Sequence, residues 1–351
     1  MRDLTGGALS DTWVPQWIRS ERGDDPLPVI TAVAITVLDG HPVAVTAGAD
    51  TACVWDLADG SRVGEISVGA GEDIAIAPLA GRPVVAVLGH RSGRVALWDV
   101  AHGDHMSDLP AEEITAVAAV TIGACPVVVT GHEDGMVHLW DLTTRRQVGR
   151  PLAGHETCVG HVTTALVDGR AVAITGGRMD LDCFWDGDVR VWDLGDGKQL
   201  TSFPAAGSPV SAAAVTVVGG RPVVTTGFWD GRLEMRDMMT GHALRTCRAE
   251  SLGFMIHGSS GVRALQGTVL RGRPVVLAGH DDGTVRIWDV PTGEQVGATL
   301  RLPLGQGAFA QRRPGRSVRL AVGPGDTLVA CAGREVVSLN YGGAAPAKDS
   351  I

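Results

Sequence analysis

The sequence predicts an all-β chain built from about seven copies of one small four-stranded unit, and three observations carry this. A Trp-Asp pair recurs at Trp55-Asp56, Trp98-Asp99, Trp140-Asp141, Trp192-Asp193 and Trp288-Asp289. A worn copy stands at Arg236-Asp237 and a more worn one at Leu339-Asn340, and the spacing runs roughly 42 to 52 residues. Each pair closes an alternating run, as in Thr284-Val285-Arg286-Ile287-Trp288, which follows an apolar run and a turn at Gly279–Gly283. Alternation at period two marks a half-buried strand, and Asp-Gly before it marks a tight hairpin turn. Upstream in each unit lies a second hairpin, apolar strand to Gly turn to apolar strand. It reads Leu38-Asp39-Gly40-His41-Pro42-Val43 in the first copy and Val218-Gly219-Gly220-Arg221-Pro222-Val223 in the fifth.

On these residues the chain resembles the WD-repeat propeller family over nearly its whole length. The resemblance implies a seven-bladed WD-repeat β-propeller over residues 29–342. Residues 1–28 would complete the last blade and close the ring, leaving 343–351 as a C-terminal tail. A fold hosts many functions, so the function implied is only the commonest one, docking of proteins or peptides.

Composition agrees. A chain of 351 residues is long for one hydrophobic core, but a propeller is a ring of small cores, each shared between neighbours. The 48 Gly and 18 Pro suit many short strands and turns. A spread net charge of −9 supports solubility and argues against nucleic-acid affinity. The six cysteines are far apart in sequence and read as thiols in a reducing compartment. Residues 1–10 carry no apolar core for a signal peptide. The long uncharged run Ile114 to Gly131 is broken by Gly123-Ala124-Cys125-Pro126 where other repeats turn, so it is two strands and not a membrane span. These readings give a cytoplasmic monomer with no membrane or nucleic-acid partner.

In chain order, Trp13-Val14-Pro15-Gln16-Trp17-Ile18 has the composition of a strand, and its proline is tolerated at a sheet edge. The seventh repeat supplies strands near Val318–Val322, Leu328–Cys331 and Glu335–Leu339 and then runs into Gly342-Gly343 with no fourth strand. The N-terminal strand is expected to fill that position, as in the family the chain resembles, the alternative being a loose N-terminal tail that two tryptophans so close together disfavour. Within each blade, strands a to d form a meander, so a–b and c–d turns share one face. The b–c turns and d–a linkers share the other, the top face.

Sequence irregularities gather on the top face of blades four to six. The b–c turn of blade four is lengthened by Asp180, Asp182, Cys183, Phe184 and Trp185, and blade five repeats its last letters as Phe228-Trp229-Asp230-Gly231. The linker into blade six carries Phe254 and His257. Only 4% of the chain is aromatic, and aromatic side chains on loops are typical partner anchors. The expected partner-binding set is Asp180, Asp182, Phe184, Trp185, Phe228, Trp229 and Phe254, with Arg312, Arg313 and Arg316 (and then Arg319) as a charged rim. The structural alternative is that the blade-four aromatics plug a gap between blades.

Gly154-His155 resembles the family's Gly-His dipeptide. The resemblance implies a buried hydrogen-bond network of His155, Thr175, Asp186 and Trp192, and structural roles for the turn residues Asp134, Asp230 and Asp282. The same linker reads His155-x-x-Cys158-x-x-His161, opposite the loop that holds Cys183. Those four residues define an alternative transition-metal site, although the spacing matches no standard zinc motif. The rival to docking is an enzyme with a top-face pocket using His155, Asp182 or His257 as acid, base or ligand. There is no phosphate loop, Gly-x-Ser-x-Gly elbow or His-Glu-x-x-His helix. No cofactor is expected on the favoured reading.

Overall fold

The computed structural model describes residues 13–19, 29–48, 51–68, 71–89, 93–177, 188–205, 208–248, 261–302 and 318–341. These form seven four-stranded antiparallel sheets. Blade one runs Ala32–Leu38, His41–Ala47, Thr51–Asp56 and Arg62–Ser67, in simple meander order. Blades two to six repeat it, with first strands at Gly71–Leu79, Ile114–Ile122, Val159–Val167, Val210–Val218 and Val262–Leu270. The seventh sheet takes three strands from the C-terminal end, Arg319–Gly323, Thr327–Ala332 and Glu335–Tyr341. Its outer strand is Trp13–Arg19, antiparallel to Glu335–Tyr341. The ring is closed by the N-terminal strand, as the missing fourth strand required. The strand is an edge, and its register slips between Pro15 and Trp17, which suits a residue that cannot donate to a ladder.

The strand-a residues of each blade contact those of both neighbours, and the circle closes between blades seven and one. Each blade-to-blade gap has its own core, such as Val129, Leu139, Val159, Ala173 and Trp192 between blades three and four. Strand-b glycines set how close the blades come. A Cβ on Gly131 would lie 2.6 Å from Val159 Cγ1, and one on Gly279 would lie 2.8 Å from Val318 Cγ1. Hydroxyls lace the inner top rim: Thr31 Oγ1 donates to Gly71 O (2.8 Å) and Ser211 Oγ to Val262 O (2.6 Å), each reaching the next blade.

The aspartates of the Trp-Asp pairs hold turns. Asp56, Asp141 and Asp193 each accept the backbone N–H two residues on at 2.7 Å. At the same end Arg170 pairs with Asp193 (2.9 Å) and Arg273 with Asp289 (3.0 Å). Blade five, which lacks the Trp, is built differently. Glu234, 5% exposed, sits between the half-buried Arg232 (2.8 Å) and Arg236 (2.9 Å), a charge triad in a blade whose Trp position is held by Arg236. The five cysteines described are all thiols, three of them buried.

Candidate functional site

The top-face turns are fixed first by their own acids. Asp134, Asp230 and Asp282 accept the N–H of Met136 (2.9 Å), Arg232 (3.1 Å) and Thr284 (3.0 Å). An acid that caps its own turn is a structural group, as expected for all three.

Behind these turns stands the expected Trp-Thr-His network. In blade four Trp192 Nε1 donates to Thr175 Oγ1 (2.9 Å), and His155 Nε2 lies 2.7 Å from the same hydroxyl. Asp186, the fourth member, lies outside the described residues. Sequence reasoning missed that blade three builds the same network from another position. Trp140 Nε1 donates to Thr130 Oγ1 (2.9 Å), whose neighbour at 2.8 Å is His132 Nε2. His132 Nδ1 donates to Glu112 O (3.1 Å), so Nε2 is the acceptor of the threonine proton and the ring is neutral. Burial, then the nearby His138, pull its pKa down. In blade three the histidine comes from the end of strand b, in blade four from the linker before strand a. The signal was present as His132 two residues after Thr130, but only side-chain packing shows that the two positions converge.

These bonds remove His155 from the acid–base candidates, since it is buried and committed to Thr175. His161 Nε2 accepts the Ala213 N–H of the next blade (3.0 Å), and burial pulls its pKa to about 4. The lone pair that a metal would need is therefore spent. Among the described residues no three of His, Cys, Asp and Glu form a group that would hold a metal ion. The linker trio His155, Cys158 and His161 is not brought together as a metal site, and Cys183 lies outside the described residues.

The two aromatics of blade five part company. Phe228 is 0% exposed and packs in the core between blades four and five, with Arg232 4.5 Å over its ring. Its expected role as a partner contact is corrected: the last residue of strand b points inward, and a fully buried ring touches no partner. Trp229, one residue on, is 56% exposed. The Arg263 guanidinium lies 4.4 Å from its ring centroid, and Arg263 Nη2 is 3.3 Å from Asp281 Oδ2. Arg263 reaches this position from the bulge between Val262 and Ala264 at the start of strand a, a device that re-aims a side chain. Arg319, expected with the basic rim, serves as a clamp. Its Nε donates to Thr31 O of blade one (2.5 Å) and its Nη1 to Arg263 O of blade six (3.1 Å). Asp180, Asp182, Phe184, Trp185, Phe254, His257, Arg312, Arg313 and Arg316 lie outside the described residues.

Comparison with known proteins bears on the fold. Residues 250–289 match the family model described as WD domain, G-beta repeat. In three dimensions the chain is similar to the crystal structure of the WD40 repeats of RRP9, with a TM-score of 0.70 over 92% of this chain and 97% of that one, at 18% identity. At that identity the likeness shows the fold alone. Together with the seven four-stranded sheets it shows a seven-bladed β-propeller with a fold like that of WD40 repeats, as the Trp-Asp pairs led one to expect. No curated protein sequence matches the chain. No helix is long and apolar enough to cross a membrane, among the described residues.

Proposed function

We propose that the chain is a non-catalytic scaffold that docks a protein or peptide through the top-face loops of blades four to six. The observation that carries this is Trp229. The strand-c tryptophans Trp55, Trp140, Trp192 and Trp288 are buried, whereas Trp229 lies open on a turn. It is held from one side by Arg263, itself tied to Asp281. An exposed ring already fixed in place loses little entropy on binding, the property that makes tryptophan an interface anchor. The proposed docking set also includes Asp180, Asp182, Phe184, Trp185 and Phe254 from the same loops, with Arg312, Arg313 and Arg316 as charged contacts.

The test compares the native chain with Trp229→Ala as immobilised bait in native lysate, with melting curves of both. A protein retained by the native chain and lost by the variant at unchanged stability supports docking at this sector. A partner retained equally by both places the docking surface elsewhere.

A further inference from the structure

Blades one to six all turn from strand c to strand d in one way. The N–H of Gly60, Gly103, Gly197, Gly241 or Gly293 donates to the carbonyl of the aspartate four residues back, at 2.8–3.0 Å. These glycines have φ between 69° and 75°, the left-handed region that a side chain strains. Blade three makes the same bond from Arg145 N to Asp141 O (2.7 Å), with φ at 58°. There an arginine holds a place that five other blades give to glycine. Strain kept at one copy of a repeat points to a use for the side chain.

The surroundings of Arg145 supply a second, independent observation. Arg62, Arg82, Arg170, Arg232, Arg248 and Arg273 each lie within 3.6 Å of a carboxylate. Arg145, Arg146 and Arg150 make no ion pair or side-chain hydrogen bond among the described residues. Residues 143–150 are all exposed, with Val148 at 37%. Three cations on one blade edge therefore repel each other and have no counter-charge, although the flanking edges carry Asp104 and Asp108 in blade two and Asp196 in blade four. Those acids confine the basic patch to blade three.

The edge is not shaped to take an added strand. Val148 N bonds Leu139 O and Leu152 pairs with Val137, so residues 149–151 stand opposite His138 alone. That bulge and Pro151 block a continuous ladder, which leaves side chains to make the contact. Nucleic acid fits the patch poorly, since duplex binders meet about 6–10 phosphates and this chain carries a net charge of −9. An exposed valine among the arginines suits a polypeptide.

We propose that the outer edge of blade three, through Arg145, Arg146 and Arg150, docks an acidic peptide segment of a protein partner. This surface is separate from the top-face sector around Trp229.

Fluorescence anisotropy of a labelled oligoglutamate peptide with the full chain at low salt tests this. The peptide is expected to bind, and a Gly/Ser peptide of equal length is not. Arg146→Ala and Arg150→Ala are each expected to raise Kd about threefold, the size of an exposed charge pair, and reversing all three arginines to glutamate should abolish binding. Arg145→Gly should weaken binding similarly while its melting temperature holds or rises, because the strain is relieved. A lower melting temperature for Arg145→Gly would show that the arginine serves the fold and would overturn the proposal. Arg221→Glu and Arg301→Glu, exposed on blades five and six, should leave binding unchanged. Equal weakening by those two would mean a diffuse charge effect and no site. Tighter binding of a thymidine oligonucleotide or of phosphatidylserine vesicles than of oligoglutamate would overturn the assignment to a peptide. Melting curves of the alanine and glutamate variants separate lost docking from lost folding.

Discussion

Ala278 stands where Trp288 needs a hydroxyl. Strand b of blade six places Ala278 at the register position of Thr175 in blade four, two residues beyond the partner of the tryptophan. Trp192 there has its hydrogen bond, while the buried Trp288 Nε1 has none among the described residues. Trp98 Nε1 likewise has no partner among the described residues in blade two, where Val87 holds the equivalent register position. A buried donor left unmade costs free energy.

Ala278→Thr is therefore expected to stabilise the protein by about 1 kcal/mol, and the threonine is also a good strand residue. Calorimetry should show a melting temperature higher by ~2 °C. A lower one would mean that the added methyl does not fit between the blades.

Gly131 is expected to resist enlargement. Gly131→Ala drives a methyl into Val159 at the closest approach of two blades and should cost roughly 1–3 kcal/mol. Adding Val159→Ala should recover part of the loss, because it removes the atoms struck. Denaturant midpoints of the single and double variants decide this, and additive losses would contradict it.

Blade five offers two adjacent aromatic truncations with opposite outcomes. Phe228→Ala empties a buried site and should cost roughly 3–5 kcal/mol. Trp229→Ala removes an exposed ring and one cation–π contact, so its cost should stay near 0.5–1 kcal/mol. Equal costs in urea titrations would place Trp229 in the core and remove the basis for docking there.

His161 makes stability fall in mild acid. Its folded pKa of about 4 lies below the unfolded value near 6.5. Its contribution is complete above pH 6.5 and is lost as pH falls towards 4, by up to roughly 3 kcal/mol. The lowered pKa of His132 acts in the same direction. His161→Gln, which keeps an acceptor for the Ala213 N–H, should flatten the pH dependence of the urea midpoint between pH 6.5 and 4.5. An unchanged slope would assign the acid sensitivity to other groups.

Ring closure can be tested at two radii. Deleting residues 1–20 removes the outer strand of blade seven and should lower the melting temperature sharply, because an unpaired Glu335–Tyr341 edge remains. Arg319→Ala acts on the inner rim, where it cuts the links from blade seven to blades one and six. An unchanged melting curve for the deletion would sink the closure role of the N-terminal strand.

The sequence by itself determined the number of blades, their strands, the turn roles of Asp134, Asp230 and Asp282, and the strand that closes the ring. All of these are local or repeated: period-two alternation, a turn that needs Gly or Asp, and a last repeat one strand short. Only the tertiary structure decided that Phe228 is core and Trp229 surface, although they are neighbours in a string that also occurs in blade four. It likewise decided that His132 and His155 do one job from two chain positions, that His161 accepts a bond from the next blade, and that Arg319 clamps the ring. The histidine networks form by packing within one blade, whereas the His161 and Arg319 bonds depend on which backbone group a neighbouring blade brings within about 3 Å. Residues that meet this way are some 50 apart in the chain, as are His161 and Ala213, and spacing within one repeat carries no record of what the next repeat sets against it.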